Sequence, residues 1–112
     1  MNNVNDIIFQ EGSVHTVTIT IPDEISLNGK QASIQVRNRP DSDLDFEFYT
    51  DTEKESDGVL GISSQIITLY IPSDISLGKA DAYKWQLKIY NNSQDAINSD
   101  IFDFIILPSI NI

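Results

Sequence analysis

Apolar and polar residues alternate with a period of two over most of this chain, and that pattern limits what it can fold into. Successive side chains of a β-strand point to opposite faces, so each alternating segment has one apolar and one polar face, as half-buried antiparallel strands do. Turn-forming residues separate the segments, for example at Asn28-Gly29 and Ser56-Asp57-Gly58. This spacing predicts an all-β antiparallel β-sandwich of about seven or eight strands, forming one domain over residues 1–112. The segments are 7–9, 17–21, 32–37, 44–48, 67–71, 83–89 and 101–107.

Acidic residues outnumber basic ones by 17 to 7, which gives the chain a net charge of −10. Such a charge repels nucleic acid and anionic membranes, so neither is expected as a partner. Solubility explains the charge more simply than an acidic docking surface does. There is no cysteine, no signal-like N-terminus and no apolar run near the roughly 20 residues needed to cross a bilayer. Neither a disulfide nor a thiolate metal site is therefore expected.

Two loops of the chain have nearly the same sequence. Residues 21–30 and 71–79 both contain Ile-Pro, then Ile-Ser-Leu, then Gly-Lys. In each loop the proline lacks an N–H and ends the preceding strand. The Ile-Ser-Leu triplet is predicted to form a tight turn whose apolar residues close one end of the core. Gly29 and Gly78 are predicted to adopt the positive φ that leads the chain into the next strand.

The order of these motifs resembles a known group of domains. A turn at Gln10–Ser13, the loop Ser26-Leu27-Asn28-Gly29 and the strand 32–37 are followed by Leu77-Gly78-Lys79 and the strand 83–89. This order is similar to that of the small Ig-like domains of tailed-phage virion proteins, including the N-terminal domain of baseplate upper proteins. The resemblance extends from about Ile7 to Leu107 and rests mostly on turns and alternation.

The resemblance implies an Ig-like sandwich that serves as a structural part of a virion and assembles in the host cytoplasm. Other phage structural proteins of the capsid, tail or baseplate would then be its partners, together with self-association into a larger complex. Baseplate upper proteins usually continue into further domains. A stand-alone accessory capsid protein is therefore an equally good expectation, and the location in the particle stays open.

Catalytic motifs are missing from the sequence. His15 is the only histidine, and it lies in phase with Val17 and Ile19, so a position at the edge of the core is favoured over a functional role. No phosphate-binding glycine loop, nucleophile elbow or zinc-binding histidine pair occurs. We therefore expect no enzymatic activity and no cofactor.

Carboxylates form two clusters. Asp41, Asp43, Asp45 and Glu47 alternate with Leu44, Phe46 and Phe48, which predicts four carboxylates on the solvent face of one strand and a candidate surface for a basic partner. The segment 51–58 weakly resembles a calcium loop, with Glu53, Glu55 and Asp57 at ligand spacing. Ser64 stands where a bidentate glutamate is needed, so a charged hairpin loop is the favoured interpretation.

Aromatic residues divide into one predicted core group and three predicted surface residues. Trp85 alternates with Tyr83, Leu87 and Ile89, which predicts burial. Tyr49, Tyr70 and Tyr90 fall out of phase with the apolar residues of their strands and are expected to be more exposed. A carbohydrate-binding platform built from these tyrosines is the weaker alternative to ordinary surface positions.

The segment 101–107 is apolar on both faces of its predicted strand. Only Asp103 interrupts it, as a charge that discourages aggregation. A lone two-sheet sandwich covers one face of each strand, so something else must cover the second face. Candidates are the N-terminal segment, the tail from Pro108 to Ile112, or another subunit. The residues predicted to bind a partner here are Ile101, Phe102, Phe104, Ile105 and Leu107.

Two functional hypotheses follow from the sequence. The first is a non-catalytic structural protein of a tailed-phage particle that docks through strand edges or apolar strand faces. The second is a carbohydrate- or receptor-binding β-sandwich module, with calcium assistance left open.

Overall fold

The computed structural model describes residues 6–39, 41–91 and 96–109. Within these ranges the chain forms nine strands and one helical turn: β1 Ile7–Gln10, β2 His15–Thr20, β3 Gln31–Arg37, β4 Phe46–Tyr49, β5 Val59–Ser63, β6 Ile66–Ile71, α1 Ser73–Ser76, β7 Asp81–Tyr90, β8 Ala96–Asn98 and β9 Phe102–Leu107. In these residues no helix is long and apolar enough to cross a lipid bilayer.

The strands form two sheets that pack face to face. One sheet has the order β1-β9-β7-β3-β4, with β8 pairing to β7 beside β9, and the other has the order β2-β6-β5. The predicted antiparallel sandwich is confirmed, with one exception: β1 pairs in parallel with β9. In immunoglobulin domains, strands B, E and D form one sheet and strands C, F and G form the other. Here β2, β6 and β5 correspond to B, E and D, and β3, β7 and β9 correspond to C, F and G. Strand β4 takes the place of C′.

Alternation produces this core directly. The inward residues of both sheets are buried, and Ile34, Val36, Phe48, Ile67, Leu69 and Ile71 are fully so. Trp85 is 1% exposed, as its phase predicts. Around Phe104 the rings of Phe9, Phe46 and Tyr83 lie at centroid distances of 5.6, 5.9 and 6.1 Å. The pairs with Phe9 and Tyr83 are edge-to-face, an arrangement that adds to the free energy gained by burying the rings.

The two similar loops close the core in different ways. Gly29 and Gly78 have φ of 72° and 76°, as predicted, and β2 and β6 end just before their prolines. Leu27 is 4% exposed and closes the core, but Leu77 is 67% exposed, so the predicted role of Leu77 is wrong. The second loop is one residue shorter and forms α1, which turns Ser76 inward instead. The buried Ser76 hydroxyl accepts a hydrogen bond of 2.9 Å from the Gly12 N–H.

Tyr83 forms the hydrogen bond that marks the start of the sixth strand in immunoglobulin domains. Its hydroxyl donates to the Lys79 carbonyl oxygen over 2.8 Å, four residues upstream. A tyrosine in this position is a hallmark of the immunoglobulin fold, where it stands two residues before a conserved cysteine. In this chain Trp85 occupies the position of that cysteine. The bond fixes the path of the chain from α1 into β7.

Replacing Tyr83 by phenylalanine is expected to lower the free energy of unfolding by about 1 kcal/mol, because the buried ring stays and only this hydrogen bond is lost. Urea denaturation followed by tryptophan fluorescence measures the change. The matched control is Tyr70→Phe, since Tyr70 is 40% exposed. Equal stabilities of Y83F and the wild type would contradict a structural role for this hydroxyl.

Candidate protein-binding face

The six-stranded sheet turns one side of its strands to the core and the other outward. On β7 the odd-numbered residues from Tyr83 to Ile89 are buried, which puts Lys84, Gln86 and Lys88 on the outward side. The antiparallel register sets Arg37 beside Lys84 and Gln35 beside Gln86. We call this surface the outward face.

The outward face carries exposed aliphatic side chains along β1 and β9. Ile8 of β1 pairs with Ile105 of β9, which in turn pairs with Ala82 of β7. Ile8 is 51% exposed and Leu107 is 45% exposed, while Ile101, just before β9, is 65% exposed. Ile8, Ile105 and Leu107 are neighbours on the outward side of β1 and β9, whereas Ile101 lies beyond the pair of Lys84 with Asp103, next to Arg37 and Gln86. Neighbouring exposed aliphatic side chains are typical of a binding surface rather than of scattered surface residues.

The middle of the outward face is basic. Arg37, Lys84 and Lys88 occupy strand positions on it, and a shallow groove lined by Arg37, Lys84, Gln35, Gln86 and Ile101 also includes Arg39. The strand positions of this face carry only two carboxylates, Glu47 and Asp103, and Asp103 forms an ion pair with Lys84. At its strand positions this face thus carries three basic side chains against two carboxylates, although the chain as a whole has a net charge of −10. Such a surface attracts negatively charged partners.

A lysine covers two tyrosines at the far end of this face. Lys54 Nζ lies 5.1 Å from the ring centre of Tyr49 and 5.9 Å from that of Tyr90. Burial, then a hydrogen bond of 2.7 Å from the Tyr49 hydroxyl to Glu47, raises the pKa of Tyr49 to about 12. Tyr49 and Tyr90 are half-buried, and only Tyr70 is exposed as predicted, on the other sheet. The three tyrosines therefore form no shared platform for a sugar.

The structure divides the residues predicted in 101–107 between two sides of the sheet. Ile101, Ile105 and Leu107 belong to the outward face, with Ile105 half-buried. Phe104 is 1% exposed, and half-buried Phe102 packs on Trp85 at 5.3 Å, so the prediction that these two bind a partner is corrected. Both phenylalanines point inward because they share the phase of the core residues of β9. The N-terminal strand, one of the predicted covers, adds to the edge of β9 and leaves its outward side open.

The four predicted carboxylates do not share a strand face, so that prediction is wrong. β4 begins only at Phe46, and Asp41, Asp43 and Asp45 lie in the preceding loop, where all three are exposed. The loop forms because the Asp45 N–H donates to the Val36 carbonyl over 2.8 Å, and the Arg37 guanidinium donates to the Ser42 carbonyl. Glu47 alone lies on β4. Binding of a basic partner by these residues stays a prediction.

Two carboxylates of the segment 51–58 accept hydrogen bonds from the backbone, one from β4 and one from the segment itself. Asp57 Oδ2 accepts from the Glu47 N–H over 2.9 Å, and Asp51 Oδ1 accepts from the Glu53 N–H over 3.0 Å. In the described part of the chain no three carboxylate or histidine side chains come together as a metal site would require. The segment is a charged loop, but the predicted hairpin is wrong, because the segment joins β4 of one sheet to β5 of the other.

His15 lies at the edge of the core, in phase with Val17 and Ile19 as predicted. Its ring stacks on Phe9 with a centroid distance of 5.1 Å and an interplanar angle of 9°. Partial burial lowers the pKa of His15 below its usual value. Burial disfavours the charged imidazolium here.

The basic residues of the outward face were not predicted as a site. Their signal is present in the sequence, since Gln35-Val36-Arg37 and Lys84-Trp85-Gln86-Leu87-Lys88 place basic and amide side chains on the polar phase of two predicted strands. What the sequence lacks is the pairing of β3 with β7, which joins the two strands into one surface.

Comparison with known proteins adds a limited likeness. No protein-family model matches this chain, and no curated protein matches it. Among solved structures, the chain is similar to Drosophila OTK, extracellular domains 3-5, with 21% sequence identity and a TM-score of 0.47. The match covers 90% of this chain and 32% of that one, so this chain spans about a third of its length. A likeness at this level bears on neither the ligand nor the partner of this chain.

Proposed function

We propose that this chain is a non-catalytic structural domain that docks onto a neighbouring protein through the outward face, as a component of a tailed-phage particle. The observation that supports docking is the exposure of aliphatic side chains along β1 and β9 on that face: Ile8 is 51% and Leu107 45% exposed, and Ile101, next to the basic groove, is 65% exposed. The resemblance of the loop and strand order to Ig-like virion domains supports the phage particle. Capsid, tail and baseplate proteins are all possible neighbours under this proposal.

The charges of the outward face define which neighbour would fit. Apolar contact at Ile8 and Leu107 would supply the area removed from water, at roughly 25 cal/mol per Å². Lys84 lies two positions along β7 from Ala82, the partner of Ile105, and Arg37 pairs with Lys84, so these cations would meet carboxylates of the partner. Charge complementarity of this kind raises the rate of association and fixes orientation more than it adds affinity. The fitting partner thus has an apolar patch bordered by acidic residues.

The glycan-binding alternative has less support. Lys54 covers Tyr49 and Tyr90, and Tyr70 lies on the opposite sheet. Sugar-binding aromatic residues need an open ring face, which the covered pair does not offer.

Mass spectrometry of gradient-purified particles tests the proposal. The wild-type chain should be present in a fixed copy number per particle. Ile101→Asp puts a charge on the most exposed aliphatic position of the outward face and should reduce incorporation at least about tenfold, the effect of losing about 1.4 kcal/mol of binding. The matched control is Leu77→Asp, because Leu77 is 67% exposed, against 65% for Ile101, and lies in the loop after α1.

Two outcomes would contradict the proposal in different ways. Absence of the wild-type chain from purified particles would rule out the virion role. Equal incorporation of I101D and L77D would place the docking surface elsewhere on the domain.

A further inference from the structure

The outer edge of β2 is an unusually unprotected strand edge. Soluble proteins usually block such edges with lysine, proline, a bulge or a covering loop, because free N–H and C=O groups pair readily with another strand. The edge of β4 shows this protection: the Glu47 and Tyr49 N–H groups donate to the side chains of Asp57 and Ser56. Along β2, from His15 to Thr20, there is no lysine, proline or bulge, and no described residue bonds to its outer side.

The hydrogen-bond phase of β2 shows which backbone groups are free. The Ile21 N–H donates to the Gln65 carbonyl over 2.8 Å, in line with the register that pairs Ile19 with Ile67. In an antiparallel ladder, hydrogen-bonded and non-hydrogen-bonded pairs alternate. The odd-numbered residues of β2 therefore bond to β6, and Thr16, Thr18 and Thr20 direct their N–H and C=O groups to the open edge. Their side chains are also exposed.

The sequence of β2 is nearly symmetric about Thr18, so two copies can pair antiparallel with similar residues opposite each other. If Thr18 lies opposite Thr18 of a second copy, Thr16 lies opposite Thr20, and all three pairs are of the hydrogen-bonded kind. On the inward side, Val17 then lies opposite Ile19. Val17 is only half-buried in the single chain, and this pairing would cover it with the partner's isoleucine. Cross-strand threonine pairs and pairs of β-branched residues both stabilise sheets.

Charge points to the same edge. Each copy has a net charge of −10, so two copies repel each other at most orientations. Strand β2 has no charged residue, and neither do the exposed positions of its neighbours β6 and β5, namely Ile66, Thr68, Tyr70, Val59, Gly61 and Ser63. Two copies that meet at β2 therefore bring no like charges into register.

We propose that β2 pairs antiparallel with β2 of a second copy, centred on Thr18, to form a two-fold dimer with a continuous six-stranded β5-β6-β2-β2-β6-β5 sheet. Six backbone hydrogen bonds and three threonine pairs hold it. This edge belongs to the three-stranded sheet, so the pairing leaves the outward face free for another protein. Salt strengthens the dimer, because it screens the repulsion between the acidic copies.

A single cysteine tests the pairing, since the chain has none of its own. In Thr18→Cys the two sulfurs sit on a hydrogen-bonded pair with Cα atoms about 5.5 Å apart, within the range of a disulfide. The matched control is Thr68→Cys, which changes the exposed residue directly opposite Thr18 on β6. In the dimer the two copies of residue 68 are three strand spacings apart, about 14 Å, and cannot be bridged.

With oxidised glutathione as the oxidant, T18C should form a covalent dimer at least about tenfold faster than T68C, and faster still in 0.5 M salt than in 0.05 M salt. The reduced variants should match the wild type in circular dichroism and melting temperature. Analytical ultracentrifugation of Thr18→Lys should give a monomer at concentrations where Thr68→Lys still dimerises. Equal crosslinking of T18C and T68C, or none in either, would overturn the proposal without affecting docking through the outward face.

Discussion

Alanine in place of Gly58 is expected to lower the free energy of unfolding by about 3 kcal/mol, at the upper end of what overpacking costs. A Cβ at this position would lie 2.2 Å from the Tyr70 carbonyl oxygen, 3.0 Å from Phe48 Cε1 and 3.1 Å from Pro72 Cδ. The nearest of these atoms belongs to the backbone of β6, which cannot move without disturbing the ladder with β5. The glycine is required here because two stretches of backbone approach closely.

Gly61→Ala is the matched control, because a Cβ there has no atom within 4 Å and the residue lies on β5, the strand that Gly58 directly precedes. Alanine at Gly61 is expected to leave stability unchanged or to raise it by about 0.5–1 kcal/mol, since it restricts the unfolded chain. Urea denaturation of both variants measures the difference. Similar midpoints for G58A and the wild type would show that β6 can shift to accept the methyl group.

Phe104→Ala is expected to lower the free energy of unfolding by about 3–5 kcal/mol, the usual cost of removing a buried phenylalanine ring. Phe104 lies among the rings of Phe9, Phe46 and Tyr83, which come from β1, β4 and β7. Its loss leaves a cavity among three strands of the same sheet. At roughly 4 °C per kcal/mol for a domain of this size, the melting temperature should fall by about 12–20 °C.

Leu107→Ala provides the comparison on the same strand, because Leu107 is 45% exposed and belongs to the outward face. We expect it to cost no more than about 1 kcal/mol. The contrast also separates two roles within β9, since L107A should weaken docking while F104A should weaken folding. Differential scanning calorimetry of the two variants measures the folding part. Similar melting temperatures would mean that Phe104 does not have the central packing role described above.

The period-two alternation was sufficient to predict the sandwich and most of its core, because every second residue of a strand faces the core and is therefore apolar. Trp85, Ile34 and Leu69 are buried as their phase requires. Strand β5 was missed, since Val59-Leu60-Gly61-Ile62-Ser63 has a glycine at an outward position and follows a charged loop. Strand β8 was missed because three exposed residues carry no alternation signal.

The candidate site was harder to predict than the core. Alternation continues through Asp41, Asp43 and Asp45, but a loop forms there because the Arg37 guanidinium holds the Ser42 carbonyl. A contact between a side chain and a distant carbonyl leaves no periodic trace in the sequence. The basic middle of the outward face depends in the same way on which strands are neighbours, and Lys84 and Arg37 are 47 positions apart with paired Cα atoms. Ile101 and Leu107 were predicted to bind a partner together with Phe102 and Phe104, because both phases of the segment are apolar and the sequence does not show which phase faces the core.

The parallel pairing of β1 with β9 has a mechanical consequence. Four register pairs, from Ile7 with Phe104 to Gln10 with Leu107, join the first and last strands, and the Glu11 N–H extends the ladder to the Leu107 carbonyl over 2.8 Å. Tension applied between the residues that precede β1 and those that follow β9 pulls these two strands along their length in opposite directions. All the bonds of the ladder then share the force in shear, whereas an antiparallel pair loaded at adjacent ends would open one bond at a time. We therefore expect the domain to resist stretching when force acts between the residues that precede β1 and those that follow β9.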